Sequence, residues 1–309
     1  MGGIIYGAPY IPPVPAAPVW RGLRMSWTGW DGSEWALTSP RSGLFLMPGV
    51  RGLAFPKFER YSSSPPGVAG SRHRGTRVDD REAFWPLYLY SDEGSQGFID
   101  RDSAFWSSLH PDFEGRWTVE APDGSTRSLG LRLKDVDDAN PEAVFRGWAK
   151  YGITLLADHP YWEGEPVSRT WAQADMRAFL PPSAGAGFSV SSGSTLATAK
   201  ATNPGDVETH VVWEAHGPFT SVTVGVGDAT VVAPIQAAAG QVLVIDTDPE
   251  VQAAFLDWVD VTDRLTRAEF GTIQPGAAVP LTLAIAGTGF ITATYTPKYF
   301  RAWGRRQDA

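Results

Sequence analysis

Across residues 188–295, short apolar runs and turn residues follow each other with no helical period, and that cadence confines the segment to antiparallel β architecture. Gly240-Gln241-Val242-Leu243-Val244-Ile245-Asp246-Thr247 shows it most sharply. Residues 242–245 are apolar at every position, as in a strand buried on both faces. Gly240 opens the run, and Asp246-Thr247-Asp248-Pro249 supplies the turn chemistry that ends it. Further strands are expected at 188–190, 209–213, 219–226, 281–285 and 290–295, with a short helical turn near 261–265. Spacing of this kind predicts an antiparallel sandwich.

The chain has 309 residues, which allows one or two domains. Charged residues make up 19% and hydrophobic residues 43%, alongside 33 Gly and 25 Pro, so the expectation is a folded, turn-rich chain rather than a disordered or fibrous one. With no cysteine, disulfides, thiolate catalysis and Cys-based zinc sites are excluded. A formal charge of -8 argues against nonspecific adhesion to nucleic acid, which depends on neutralising phosphates with Lys and Arg. There is no signal-peptide pattern at the N-terminus, and no apolar run approaches the roughly 20 residues that cross a bilayer, so a soluble chain is expected.

Pro12, Pro13, Pro15 and Pro18 remove backbone donors and favour extended polyproline II geometry, so residues 1–20 read as an arm carrying Tyr6, Tyr10 and Trp20. A hairpin is expected where Trp30-Asp31-Gly32-Ser33 joins the runs at 23–27 and 35–37. Another strand lies in Leu44-Phe45-Leu46-Met47, stopped by Pro48-Gly49. Residues 62–76, rich in Ser, Pro and Gly, read as a long loop holding Arg72, His73 and Arg74, with Arg77 just beyond. Strand composition returns at 77–90. One short helix is expected at 101–109, capped by Asp100 or Asp102 and ended by Pro111. Residues 116–120 and 127–134 flank Pro122-Asp123-Gly124-Ser125 as a second hairpin, and alternation resumes at 144–156.

Three groups of residues carry a resemblance. The first is Trp30-Asp31-Gly32-Ser33 with Leu44-Phe45-Leu46-Met47-Pro48-Gly49-Val50-Arg51-Gly52, similar to the opening of minor tail proteins of actinobacterial phages. The second is Ala157-Asp158-His159-Pro160-Tyr161-Trp162, where His159 interrupts the usual acidic-Pro step. The third runs from Asn203-Pro204-Gly205-Asp206 through Gly240–Thr247 to Phe270-Gly271-Thr272-Ile273-Gln274-Pro275-Gly276, with Ile273 standing where Leu is usual and Ala277 where Asn often follows. Taken in order, these motifs resemble the distal tail proteins of long-tailed (siphovirus) phages.

The resemblance implies a mainly β protein in four parts: a Pro-rich arm (1–20), a ring-forming tail-tube-like domain with a short helix (21–165), a galectin-like β-sandwich (166–303) and a C-terminal tail (304–309). It also implies a structural virion protein at the distal end of the tail, assembled in the host cytoplasm. Its partners would be its own copies in a hexameric ring, the tail tube protein, the tape measure protein, and the tip hub and receptor-binding proteins. DNA would pass through the lumen without specific binding, a passage that suits the acidic charge.

No catalytic pattern competes. There is no Gly-x-Ser-x-Gly elbow, Walker loop or His-Glu-x-x-His helix, and His73, His110, His159, His210 and His216 are scattered. Acidic clusters at Asp79-Asp80-Glu82, Asp135-Asp137-Asp138 and Asp246-Asp248 fit turn and cap roles more simply than a glycosidase pair. The expectation is therefore a non-enzyme without cofactor or metal. Arg72, Arg74 and Arg77 are candidates for a channel or partner contact, and Trp213, Trp258 and Trp303 for a glycan or partner contact. A carbohydrate- or receptor-binding tail module is the alternative, and a tail-associated hydrolase is disfavoured by the missing motifs.

Overall fold

A computed structural model describes residues 22–67, 69–137, 141–172 and 196–304. The Pro-rich arm, the strand expected at 188–190, Asp138, and all of the C-terminal tail except Gly304 lie outside the described residues. What is described is mainly β, with two hydrophobic cores.

The first core is enclosed by β1 (Arg24–Thr28), β2 (Glu34–Ala36), β3 (Leu44–Leu46), β6 (Arg81–Tyr90), β7 (Gly115–Glu120), β8 (Thr126–Val136) and β9 (Trp148–Ala157), in the spatial order β2-β1-β7-β8-β9-β6-β3. The two ends of this antiparallel sheet meet, because the Leu46 amide donates to the Leu37 carbonyl at 2.8 Å. Closure of that kind removes an exposed edge. Strands β6 and β9 alternate buried and exposed positions over ten residues each, which fixes their register from Arg81↔Ala157 to Tyr90↔Trp148.

Inside, Trp27, Trp85, Trp117 and Trp162 form a chain of ring contacts with centroids 5.3, 5.3 and 5.0 Å apart. Much of the unusual tryptophan content is thus core, where each indole buries a large apolar area. Helix α1 (Gly94–Ser107) inserts Phe98 and Phe105 into the same core, and Ser108 accepts the Trp27 indole N–H at 3.0 Å.

The helix begins seven residues before the expected start at 101. Gly94 and Gly97 lower local helix propensity, so its first turns carry a weak signal. Asp100 and Asp102 do not cap it: Asp100 accepts from Gln96, and Asp102 accepts from Trp106 and from the Tyr151 hydroxyl. A second helix, α2 (Ala143–Arg146), is ended by Gly147 in the left-handed region and precedes β9. Among the described residues there are therefore two α-helices where the sequence reading expected one.

The second core lies between two antiparallel sheets. Beyond β10 (Trp162–Glu163), one sheet takes β11 (Val167–Ala172), β13 (Val212–His216), β16 (Val242–Asp246), β17 (Ala253–Leu256), β18 (Val259–Asp260) and β21 (Phe290–Tyr295) in the order β11-β21-β13-β16-β17-β18. The other takes β12 (Lys200–Ala201), β14 (Phe219–Val226), β15 (Ala229–Ala233), β19 (Arg267–Ala268) and β20 (Val279–Gly287) in the order β12-β20-β14-β15-β19. Strand β16 is central, but only Leu243 and Ile245 are buried; Val242 and Val244 line its half-exposed outer face. The expectation that it is buried on both faces is corrected on this point, since nothing packs fully over the outer face. Asp246 accepts the Asp248 amide as a turn residue, and buried Thr247 exchanges hydrogen bonds with the Val211 backbone.

The third motif group proves to be a contact. Buried Asn203 donates its amide to the carbonyls of Val207 (2.7 Å) and Ile273 (3.0 Å) and accepts from Gly205 N–H (2.8 Å). Its two sequence halves, 70 residues apart, are joined by one side chain.

Last in the chain, β22 (Lys298–Tyr299) pairs with β10, and Tyr299, Ala302 and Trp303 pack on the first core. The sequence reading ran the second domain to residue 303. Among the described residues the chain crosses over at 163–167 and returns at 295–298, and Ala302 belongs to the first core.

Candidate assembly surfaces

The residues that sequence reading placed in a long loop form a projecting arm. β4 (Phe58–Ser63) and β5 (Arg72–Val78) pair in register from Phe58↔Val78 to Tyr61↔Gly75, then shift by a bulge to Ser62↔His73 and Ser63↔Arg72. This corrects the loop expectation for 62–76. Charged and small residues hid the pairing, because the strands carry no apolar alternation for a core to impose. No residue of either strand is buried, and among the described residues no third strand joins them. A two-stranded ribbon alone in water is marginally stable.

Arg72, Arg74 and Arg77 all lie on β5 of the arm and are exposed. Within β4 and β5 these three and Arg60 stand against one carboxylate, Glu59, giving the two strands a formal +3 on a chain of net -8. Arg74 donates to Ser63 at 2.9 Å, and Arg77 lies 3.5 Å from Asp79 and directly across from Glu59. Phe58 and Tyr61 on β4 are exposed.

The root of the arm is fixed by Arg81. This guanidinium is 2% exposed and donates to the carbonyls of Gly52 (2.7 Å), Ala54, Pro160 (2.6 Å) and Phe300 (2.8 Å). Burial pulls its pKa down to about 10, which still leaves it protonated at neutral pH. Phe55, at the same root, stacks on Phe300 with centroids 5.0 Å apart. One side chain therefore ties together the arm, the crossing segment and the returning C-terminal segment.

The three candidate tryptophans do not share a surface. Trp213 is 1% exposed in the sandwich core, so it has no face to offer a ligand. Its position on β13, between β16 and β21, explains the burial. Trp303 is half-buried on the first core, with the Arg301 guanidinium 5.3 Å from its ring, and lines a cleft of about 670 Å³ with Arg127, Asp206 and Tyr299. Trp258 is 96% exposed at the turn between β17 and β18. There Asp257 and Trp258 both take positive φ (46° and 71°), and the Asp257 carboxylate pins the turn through Val242 N–H (3.0 Å) and Gln241 (2.9 Å). Val259 beside it is also exposed.

His159 and His210 line one cleft with Glu163, Asp248 and Glu250, and the other histidines lie elsewhere. His110 accepts two backbone N–H groups, His216 stacks on Phe290, and His159 faces Glu250 at 3.8 Å. Among the described residues no group of His, Asp and Glu is arranged to hold a metal ion. Of the acidic clusters, Glu82 pairs with Lys134 at 2.8 Å, and Asp137 accepts from Gly152 N–H.

Superposition on solved structures decides the fold. SPP1 Dit (gp 19.1), described as a paradigm of hub adsorption apparatus in phages infecting Gram-positive bacteria, matches 90% of this chain and 99% of its own, with a TM-score of 0.61 and 14% identity. The chain has the Dit fold. Chains of the phage P2 baseplate in its activated conformation, with Ca and with Sr, match 89% of this chain and 98% of their own, with TM-scores of 0.54 and 0.53 and 11% identity. No family model and no curated protein matches the sequence.

Proposed function

We propose that this chain is a structural protein of a phage tail tip, located at the distal end of the tail in the virion and assembled in the host cytoplasm. The carrying observation is the correspondence of 90% of this chain with 99% of a phage hub protein. In this reading the first domain forms a homohexameric ring around the DNA channel, joining the tail tube and tape measure proteins above to the hub and receptor-binding proteins below.

The arm supports the ring. A two-stranded ribbon with no core of its own and a formal +3 gains most by crossing to an adjacent copy, whose net charge is negative. The second domain, a galectin-like sandwich in this reading, projects outward. The protein's work is assembly, without catalysis or a cofactor. Negative-stain microscopy of tails, with mass measurement of the purified chain, tests this. Six-fold rings at the tail end are expected; monomers at high concentration together with tails lacking the ring would overturn it.

A second reading, recognition of cell-wall glycans, draws on Trp258, whose exposed indole is the kind of platform on which a sugar stacks. A glycan array probed with the native chain and with Trp258→Ser distinguishes the two readings.

A further inference from the structure

The outer face of β3, β6 and β9 breaks the rule for solvated sheets. Outward positions on such a face are normally polar. Here Phe45, Tyr88 and Trp148 occupy them, all half-buried, with Phe45 and Tyr88 centroids 5.2 Å apart and Tyr88 and Trp148 stacked at 5.7 Å and 18°. Register places them on adjacent strands: Phe45↔Tyr88, then Tyr88↔Lys150, with Trp148 two residues from Lys150 on β9. Pro86 lies opposite Gly152 in the next outward pair, so the sheet there has no tall side chain on β9. The Asp137 carboxylate and the Phe84 ring pack over Gly152 instead, so the three rings form an aromatic face bounded on that side. Phe145, 90% exposed, extends the apolar surface where α2 leads into β9.

One segment of the chain has the complementary chemistry. Pro12, Pro15 and Pro18 recur every third residue, the repeat of a polyproline II helix, so in that geometry they share one edge. From Gly2 to Trp20 the segment carries no charged side chain, so it offers a partner mainly apolar surface and no ion pair. Pro-rich segments dock on aromatic-lined grooves, and their restricted backbone loses little entropy in doing so. The face is near the start of the described chain: the Met25 carbonyl accepts from Leu37, and the Leu37 carbonyl from Leu46 beside Phe45, while Pro18 lies four residues before Gly22 and each polyproline residue spans about 3.1 Å.

We propose that the N-terminal arm of this chain, residues 12–18, docks on the Phe45–Tyr88–Trp148 face, its proline edge against the stacked rings. The surface is thereby a binding site for a segment of the protein itself. The inference does not depend on the ring, because it concerns a contact whose mapping requires no oligomer count.

The test replaces Val14 with p-benzoylphenylalanine in the full chain, followed by irradiation and mass mapping of the cross-linked peptides. Cross-links to peptides containing Phe45, Tyr88 or Trp148 are expected, and their loss in the Tyr88→Thr, Trp148→Thr double variant, with the melting temperature close to native. A second arm leaves the face intact and changes Pro12, Pro15 and Pro18 to Ser; the same cross-links should disappear. Cross-links confined to other surfaces would overturn the proposal. So would cross-links that survive the proline changes, whatever the folding of the double variant.

Discussion

Arg81 donates a hydrogen bond to the carbonyl of Phe300 across 219 residues of sequence, and the same guanidinium holds Gly52, Ala54 and Pro160. A planar fork of five donors is suited to this convergence of carbonyls, and a point charge is not. Arg81→Met removes the donors and leaves buried acceptors unmatched, so the chain should lose at least about 3 kcal/mol, with Arg81→Lys recovering only part. Urea unfolding measures the loss. Limited proteolysis should show early cleavage near residues 53–57, where the arm is rooted; an unchanged cleavage pattern in Arg81→Met would refute the anchoring role.

Asn203 fastens the loop at 203–207 to the Ile273 backbone from within the second core. Asn203→Ala should cost about 2–3 kcal/mol: the Gly205 N–H loses its acceptor, and of the two carbonyls Val207 loses its donor while Ile273 keeps only the Thr209 N–H. Asn203→Asp should do no better, because a carboxylate cannot donate to them. Equal stability of Asn203→Asp and the native chain, measured by thermal unfolding, would contradict the hydrogen-bond assignment.

These two residues mark what was legible and what was not. The antiparallel cadence, the Asp-Gly hairpins and the order of Asn203 and Phe270–Gly276 were readable because turn chemistry and alternation are local. Arg81 gave no local signal: its partners are backbone carbonyls from distant segments, which sequence does not display. The β4–β5 arm was read as a loop because it lacks the apolar alternation that a core imposes. Trp213 and Trp258 look alike as letters, and only sheet position separates the buried one from the exposed one. The start of α1 was hidden by Gly94 and Gly97.

Reversing the charge of the arm should separate folding from assembly. Arg72, Arg74 and Arg77 are exposed, so changing all three to Glu should move stability by no more than about 0.5 kcal/mol per site. Ring formation should fail, because the altered arm would meet an acidic neighbour with like charge. Melting temperature and tail micrographs of a phage carrying the variant check the two parts; normal rings would exclude the arm as an assembly contact.

Trp258 sits in the left-handed region, where a residue with a side chain is held at a cost. Trp258→Gly should therefore raise stability by up to about 1 kcal/mol. The indole is too exposed for its loss to offset that gain. A fall in unfolding midpoint would mean that Trp258 contributes to the fold. A rise, accompanied by weaker retention of tip proteins or glycans, is the outcome expected of a contact residue.

Glu208 gives the acid side of the stability profile a specific origin. Hydrogen bonds from Thr272 (2.8 Å) and Gln274 (2.7 Å) hold its carboxyl below the usual carboxylate range, tying residue 208 to the strand-like stretch that Asn203 also grips. Because the folded-state pKa lies below the unfolded value, this contribution is complete above about pH 4.5 and is lost as pH falls through the lower folded value. Glu208→Gln has no such proton to take up. Its unfolding midpoint in urea should therefore fall less steeply than the native one on acidification below about pH 4.5, while the two profiles run parallel above it. Other carboxylates titrate equally in both chains, so the difference between the curves isolates this one; coincident slopes in acid would show that the Thr272 and Gln274 contacts do not stabilise the ionised form.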